Sequence, residues 1–360
     1  MRSRGSIHGN RAVAGWLFVA PAIFIVGLFV LVPVVMAAWV SMSDWSGIGP
    51  PFAEGVNFVG ADNYAELLGG TDLATRDLGT ALRNNLYYVL LVVPLQTAVA
   101  LGLAILVNRR VMRARGFFRT AFYFPSVTSS VAIVVLWLFL FSATGPVNKV
   151  LSWLWVDGPN WFEDPRGIFH IALGAFGVSG QDNPLSGATF LGITGWDWVS
   201  GPSVAMTAFI VMAVFTTSGT FMLLFIAALQ QINAEVEEAA MTDGANGWQR
   251  FRYVTLPMLK PIVFTVVTLG LIGTWQVFDQ IYTGTRGGPA KTTLTPAYLS
   301  FQAAFNQQDW GEGAAIAFIL FAIIVFFTVV QRWVLRDRDK VRRTRTRDPR
   351  LQHAAVEAER

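Results

Sequence analysis

The chain has 360 residues, of which 53% are hydrophobic and 14% are charged, and its formal net charge is +4. Soluble domains carry about 25% charged residues, so this composition indicates a membrane protein. The absence of cysteine excludes disulfides, thiolate metal sites and cysteine nucleophiles. The sequence predicts no metal site, because its three histidines lack the spacing of metal ligands: His8, His170 and His353.

The first predicted element is a membrane span. Residues 1–13 are polar, with three arginines and no acid, and an apolar run follows from Gly15 to Val40. This run exceeds the roughly 20 residues that cross a bilayer and is too long for a signal-peptide core, so it predicts an uncleaved span. Pro21 and Pro33 mark kinks or ends within it. Residues 41–85 are polar and rich in acids, which favours the outside of the cell.

The next two spans are predicted over 86–107 and 120–142. The short connection between them, Asn108 to Arg119, carries five arginines and no acid, so the positive-inside rule places it in the cytoplasm.

The long loop over 143–202 is rich in acids and is predicted to lie outside. Its apolar part, 168–178, is too short to cross a membrane and predicts an interfacial or packing segment. Five tryptophans predict an aromatic belt at the outer membrane face, with stacking on sugar rings as the alternative: Trp153, Trp155, Trp161, Trp196 and Trp198.

Three further spans are predicted over 204–229, 262–282 and 314–335. The tail over 336–360 is rich in arginine and is predicted to be cytoplasmic and partly disordered. Six spans place both termini in the cytoplasm, together with the connection between spans four and five. A basic tail next to a span favours contact with anionic lipid over nucleic acid, and no nucleic acid partner is predicted.

The connection between spans four and five, Asn233 to Pro257, is the most informative stretch. Glu235, Glu237 and Glu238 crowd its start, where negative charge favours a helix. Gly244 can supply the left-handed residue that ends this helix. A second, amphipathic run is predicted to stop at Pro257. The pattern predicts a compact pair of helices at the cytoplasmic membrane surface.

The spacing of this connection resembles a known motif. Glu238-Ala239-Ala240, then Gly244, then Val254-Thr255-Leu256-Pro257 is similar to the EAA loop of ABC-importer permeases, although isoleucine is commoner where Val254 stands. Two further stretches are similar to the first permease of carbohydrate importers of the maltose and glycerol-3-phosphate type: Arg115-Gly116 to Pro125, and Gln276-Val277-Phe278-Asp279 with Gly287-Gly288-Pro289. The part from about 165 to 196 is longer than this resemblance accounts for.

The resemblance implies an all-α membrane protein with six transmembrane helices, the type I ABC-importer permease fold, in the inner membrane. Residues 1–80 hold the N-terminus, first span and outside loop, 81–335 the transmembrane domain, and 336–360 the tail. The implied role is a non-catalytic transport subunit. The expected partners are a second permease in a heterodimer, an ATPase dimer and an extracellular binding protein that delivers a sugar.

The resemblance also assigns residues to the contact with the ATPase, in a coupling helix: Glu238, Ala239, Ala240, Gly244, Leu256 and Pro257. The sequence has no Walker A pattern, so this chain is predicted to bind no cofactor, and ATP and Mg²⁺ belong to the ATPase partner.

The fifth span offers the best candidates for a substrate path. Polar groups in a span are costly unless they face a cavity or another helix. Four residues combine hydrogen-bonding groups with aromatic faces suited to a sugar: Trp275, Gln276, Phe278 and Asp279. The alternative is that Asp279 is solvated at the outer end and that the threonines of this span bond their own helix.

The fourth span carries small and hydroxyl residues around Gly219, which indicate a packing face between helices. The second permease is the expected neighbour of this face.

Two other classes are alternatives. An ion-coupled secondary transporter predicts broken helices in two related halves and intramembrane acids, whereas Asp279 is the only acid within a span. A membrane-embedded enzyme requires converging catalytic groups, and the spans hold none. Within the importer class, a glycerol-3-phosphate or polyol importer would favour buried arginine or lysine, which the interiors of spans one to five lack, so a neutral sugar is preferred.

Overall fold

The computed structural model describes residues 7–70, 72–108, 114–178 and 184–334, and these are mainly helical. Arg109, Arg110 and Arg113 of the predicted cytoplasmic connection, and the tail over 336–360, lie outside the described residues. Among the described residues, a bent pair of helices and five single segments are long and apolar enough to cross a membrane: Val13–Val40, Leu73–Asn108, Val204–Leu229, Lys260–Gly284 and Trp310–Val334.

The first span is one continuous helical segment. Helix α1 (Ile7–Val26) continues through a π-helical turn (Gly27–Leu31) into α2 (Val32–Val40). Pro21 lies inside α1, and Pro33 lies in the first turn of α2, where a missing N–H is least costly. Neither proline ends the segment. Its side chains are largely exposed, as expected for a surface that faces lipid or another subunit.

The second span belongs to a longer helix than predicted. After α3 (Asp62–Gly69), helix α4 (Leu73–Asn108) begins well before residue 86. Its early part is held by Asn84, which is 4% exposed. The Asn84 side-chain amide donates to the carbonyl oxygens of Lys291 (2.9 Å) and Leu294 (3.0 Å). A buried amide with two acceptors fixes α4 to the loop that precedes the last span.

The third span is not the single helix predicted over 120–142. Helix α5 (Arg115–Val127) and helix α6 (Ser130–Leu140) are bent by 98° relative to each other. Pro125 contributes no N–H to the end of α5, and Ser129 has an extended backbone with ψ at 130°. The helix therefore ends and restarts inside the apolar run, which hydropathy alone does not reveal.

The long loop contains short elements. They are α7 (Pro146–Trp153), α8 (Ile168–Ala175), a 3₁₀ turn (Pro184–Gly187), the antiparallel strands β1 (Thr189–Phe190) and β2 (Ile193–Thr194), and α9 (Gly195–Trp198). The apolar segment predicted to be too short for a span forms the eight-residue α8. Trp153 and Trp155 are 78% and 97% exposed, whereas Trp196 stacks on His170 at 4.4 Å between ring centroids.

The remaining elements complete the chain. They are α10 (Val204–Leu229), α11 (Ala234–Thr242), α12 (Gly247–Arg250), a π-helical turn (Phe251–Thr255), α13 (Leu256–Met258), α14 (Lys260–Trp275), α15 (Asp279–Gly284), α16 (Pro296–Phe301), a second such turn (Gln302–Asn306) and α17 (Trp310–Val334).

The described residues group into two compact units. The first unit draws on the described residues up to Leu91, on Thr128–Met212 and on Gln276–Phe321, and the second on Val92–Val127, Ala213–Trp275 and the described residues from Ala322 onward. In the first unit, α15 packs on α6. The second unit has an apolar core of side chains from α4, α10 and α14: Ala100, Ala104, Val107, Phe221, Met222, Phe225, Ile226 and Val266.

The small residues of the fourth span do form a packing face, but the expected neighbour was wrong. A Cβ atom on Gly219 would lie 2.2 Å from the carbonyl oxygen of Phe122 in α5. Beside it, the Ser126 hydroxyl donates to the carbonyl oxygen of Thr216 (2.8 Å). Gly219 itself therefore meets α5 of the same chain. Composition predicts a close approach, but it does not name the partner helix.

Candidate coupling segment and transport path

The coupling segment, residues 233–258, begins with a well-capped helix. The Asn233 side-chain oxygen accepts from the Glu235 N–H (3.1 Å) and so caps the N-terminus of α11. Gly244 ends the helix with φ at +78°, the left-handed conformation predicted from the sequence. Its N–H donates to Met241, and the Ala245 N–H donates to Ala240 (both 3.0 Å).

Most of the side chains of α11 are exposed. Glu238 and Ala239 are exposed, Ala240 is half-buried, and Val236 and Met241 are 40% and 50% exposed. Among the described residues, Glu238 forms no ion pair. A free carboxylate beside exposed apolar side chains is typical of a protein interaction surface. The structure thus presents Glu238, Ala239 and Gly244 at an accessible position, while their contact with an ATPase stays a prediction.

The second helical run was predicted to stop at Pro257, and this was wrong. Asn246 and Gln249 form a reciprocal capping box, with bonds of 2.9 and 2.8 Å, that starts α12. The helix then widens into the π-helical turn, in which the Leu256 N–H donates to the Phe251 carbonyl. It continues through Pro257 to the end of α13 at Met258. The wider turn before Pro257 accommodates a residue that lacks an N–H and would clash in a regular helix.

The fifth span is broken at the predicted substrate residues. Helix α14 ends at Trp275 and α15 begins at Asp279. In the first unit, Gln276 and Asp279 are exposed and Phe278 is half-buried. In the second unit, Trp275 is 2% exposed, and its ring lies 5.3 Å from that of Phe327. Irregular backbone at membrane depth is tolerated where it is buried in protein or lines a water-filled cavity, so this break suits a transport path.

Phe278 belongs to a larger aromatic cluster in the first unit, which we call the aromatic ladder. Each ring lies between 4.7 and 6.4 Å from a neighbour, measured between centroids. Its members are Trp45, Phe278, Tyr282, Tyr298, Phe301, Phe305 and Trp310. Tyr298 is buried, whereas Tyr282 and Phe305 are 43% and 57% exposed. Sequence reasoning found only Phe278, because the other rings come from distant elements and share no spacing.

The threonines of the fifth span hydrogen-bond their own helix, as the alternative interpretation predicted. The hydroxyls of Thr265, Thr268 and Thr274 each donate to the carbonyl oxygen four residues earlier, at 2.7 to 3.0 Å. These threonines are therefore satisfied within their own helix. A buried glutamine that the sequence analysis missed, Gln96, accepts from Thr217 (2.6 Å) in the second unit.

The first unit also contains a cavity of about 600 Å³ beside the long loop. Its charged lining residues are three arginines and one acid, Arg76, Arg83, Arg166 and Asp197, and His170 and several neutral polar residues lie beside them.

Backbone hydrogen bonds join the long loop to α10, beside an ion pair within the loop. Arg166 binds the carboxylate of Asp164 through Nε (3.0 Å) and Nη2 (2.6 Å). The backbone carbonyls of the same two residues accept from the N–H groups of Val204 and Ala205 at the start of α10 (3.0 and 3.3 Å). The hydrogen bonds from Arg166 hold the pKa of the nearly buried Asp164 below its ordinary value.

This lowered pKa predicts a pH dependence. A carboxyl whose pKa is lower in the folded protein stabilises the fold above its unfolded pKa, about 3.9. The stabilisation is lost as the pH falls through the folded value. We therefore expect wild type to melt at a higher temperature than Asp164→Asn at pH 7 and the difference to vanish as the pH falls through the lowered pKa of Asp164. Asp157→Asn removes an exposed carboxylate from the same loop and is the control. A difference between wild type and Asp164→Asn that does not change with pH would contradict this role.

The described residues form a multi-span membrane protein with an exposed helical segment between its fourth and fifth spans. Residues 97–340 match the family of binding-protein-dependent transport system inner membrane components, and the chain belongs to this family.

Relatives and solved structures agree with that class. The chain is 29% identical to the lactose transport system permease protein LacF of Rhizobium radiobacter, over 93% of this chain and 98% of that protein. It is 28% identical to the trehalose/maltose transport system permease protein MalF of Thermococcus litoralis, over 91% and 96% of the two chains. A crystal structure of a bacterial ABC transporter involved in the import of the acidic polysaccharide alginate is similar in fold. The TM-score is 0.66 at 18% identity, covering 91% of this chain and 96% of that one. The protein therefore has the type I ABC-importer permease fold.

Proposed function

We propose that this chain is one of two permease subunits of an ATP-driven importer and that the two subunits form a path for an oligosaccharide or related sugar. The observation that carries the proposal is the exposed segment from α11 to Gly244, with its Glu238-Ala239-Ala240 spacing, on a member of this family. The names of the relatives, which include lactose and trehalose/maltose permeases, support a sugar as the substrate.

The exposed position of α11 supports a role in coupling to ATP hydrolysis. An ATPase dimer that holds ATP and Mg²⁺ docks on this helix, where the Glu238 carboxylate meets a basic residue of the partner. Helix α10 ends at Leu229, shortly before α11, and α14 begins at Lys260, directly after α13. Movement of α11 is therefore transmitted to both spans. Leu256 and Pro257 direct the chain into α14.

The sugar path in this subunit uses the break in the fifth span. Gln276 and Asp279 supply hydrogen-bonding groups, and the exposed rings of the aromatic ladder supply flat apolar surfaces. The apolar face of a pyranose ring stacks on such surfaces while its hydroxyls bond the polar groups. Trp275, which is buried, supports the end of α14.

Phe278→Ala tests this path. Its ring stacks on Tyr282 at 5.4 Å and an interplanar angle of 19°. An aromatic stacking contact contributes about 0.5 to 1.5 kcal/mol, so we expect sugar uptake at saturating binding protein to fall about 2- to 12-fold. Phe24→Ala makes the same truncation at an exposed site in α1 and should leave uptake unchanged. Equal uptake by both variants would show that Phe278 is not part of the sugar path.

The outside loop is proposed to contact the extracellular binding protein, and both termini are proposed to be cytoplasmic. The basic cavity beside the loop supports this contact, because it can receive an acidic side chain. Deletion of residues 165–196 should abolish stimulation of the ATPase by the binding protein, and unchanged stimulation would contradict the contact.

Purification tests the proposed assembly. The tagged chain is isolated from its native membrane in mild detergent, and the proteins that accompany it are identified by mass spectrometry. We expect a second six-span protein and an ATPase. A chain that emerges without an ATPase in every detergent would contradict the proposal.

A further inference from the structure

The second unit contains a cavity that the proposed transport function does not use. It measures about 620 Å³ and lies where the end of α4 and the start of α5 meet the coupling segment. Its polar lining residues are Asn108, Arg115, Gln230, Glu237, Arg250 and Thr255.

Two arginines of this cavity are incompletely bonded. The Nε–H groups of Arg115 and Arg250 are buried from solvent, and among the described residues neither has a hydrogen-bond acceptor. Neither guanidinium forms an ion pair within those residues. Leaving a buried donor on a charged group unpaired is costly, so the arrangement favours an acceptor that enters from outside the chain.

The charges of the cavity favour an anion. Arg115 and Arg250 face a single lining acid, Glu237, which leaves a net positive charge. The side chains of Asn108, Gln230 and Thr255 add further donors. A guanidinium presents two parallel N–H groups, a geometry that matches the oxygens of a phosphate. A cavity lined by two such groups and several neutral donors is therefore suited to a phosphate group and not to a neutral sugar.

We propose that this cavity binds a phosphate group, supplied either by an anionic lipid headgroup or by a soluble phosphate compound. Basic pockets between helices on the cytoplasmic side commonly bind lipid headgroups. Ala234 and Glu237 of α11, and Arg250 at the end of α12, form part of the wall. The bound phosphate thus links the coupling segment to the ends of α4 and α5.

The experiment has one arm for each source of phosphate. The full-length chain is purified with the subunits that accompany it in a phosphate-free nonionic detergent, and the lipid retained is counted by native mass spectrometry after addition of phosphatidylglycerol or of a phosphate-free diacylglycerol. In the second arm, binding of inorganic phosphate and of a sugar phosphate is measured by calorimetry in the same detergent without added lipid. Binding in the first arm identifies a lipid headgroup, and binding in the second identifies a soluble ligand.

The variants remove the proposed contacts. Arg115→Gln and Arg250→Gln should each weaken phosphate binding about 10-fold, and the double variant at least about 100-fold. Arg250→Lys keeps the charge but loses the paired donors, so its phosphate affinity should lie between those of wild type and Arg250→Gln. Arg252→Gln changes an exposed arginine that does not line the cavity and should bind as wild type does.

Two results would overturn the proposal. One is a wild-type protein that retains phosphatidylglycerol no better than the phosphate-free diacylglycerol and binds neither soluble phosphate. The other is unchanged binding in both single variants. The melting temperature shows whether the double variant folds. If it does not fold, phosphate binding by the two single variants tests the proposal.

Discussion

Replacing Gly244 with proline will uncouple the permease from its ATPase. Gly244 has φ at +78°, and its N–H donates to Met241. Proline is fixed near φ −65° and has no N–H, so the variant cannot keep the turn that ends α11. We expect ATPase association to weaken at least about 10-fold, because about 3 kcal/mol of proline strain falls on a segment that must fit its partner. Co-purification and ATPase stimulation measure the effect.

Two milder changes make this result specific. Alanine at Gly244 meets open space but requires a left-handed conformation, at a cost of about 1 to 2 kcal/mol, and should weaken coupling partly. Gly247 also has open space around it but no positive φ, so Gly247→Ala should couple normally. Normal coupling in Gly244→Pro would show that binding of the ATPase does not depend on the conformation of this turn.

Replacing Gly219 with alanine will destabilise the membrane domain. The new Cβ atom would lie 2.2 Å from the carbonyl oxygen of Phe122 and 2.9 Å from the Cα atom of Tyr123, so α5 and α10 must separate. Overpacking of a close interface costs about 1 to 3 kcal/mol or more, since backbone atoms cannot move aside as a flexible side chain can. We expect the apparent melting temperature in detergent to fall by several degrees and the yield of folded protein to drop.

Gly102 provides the matched comparison for this change. It also lies in a long helix of the second unit, but a Cβ atom there meets nothing within 4 Å. Gly102→Ala should therefore be neutral or slightly stabilising, because alanine has the higher helix propensity. Equal melting temperatures for the two variants would mean that α5 and α10 do not approach closely at Gly219.

The features that sequence reasoning predicted are local ones. The helix that starts after Asn233 and ends at Gly244 is specified by residues within a few positions of each other. The spans are specified by long apolar runs, because a bilayer imposes one length on every helix that crosses it. The threonines of the fifth span likewise bond carbonyls four residues away, which the sequence can indicate.

The features that it missed depend on contacts between distant parts of the chain. Hydropathy does not distinguish one helix over 120–142 from two helices bent by 98°. The aromatic ladder brings together rings from residue 45 to residue 310, and no pattern in the sequence joins them. The neighbour of Gly219 was assigned wrongly for the same reason, since a small residue shows that something packs closely but not which helix does so.

Uptake of sugar into proteoliposomes tests the central claim most directly. The chain is reconstituted with its accompanying subunits, the binding protein is added outside, and ATP with Mg²⁺ is enclosed. We predict uptake that requires both ATP and the binding protein and that falls sharply in Glu238→Gln, which removes the exposed Glu238 carboxylate from α11. Uptake driven by a proton or sodium gradient without ATP, and unaffected by Glu238→Gln, would contradict the account. Such a result would assign the break between α14 and α15 to an ion-coupled transporter.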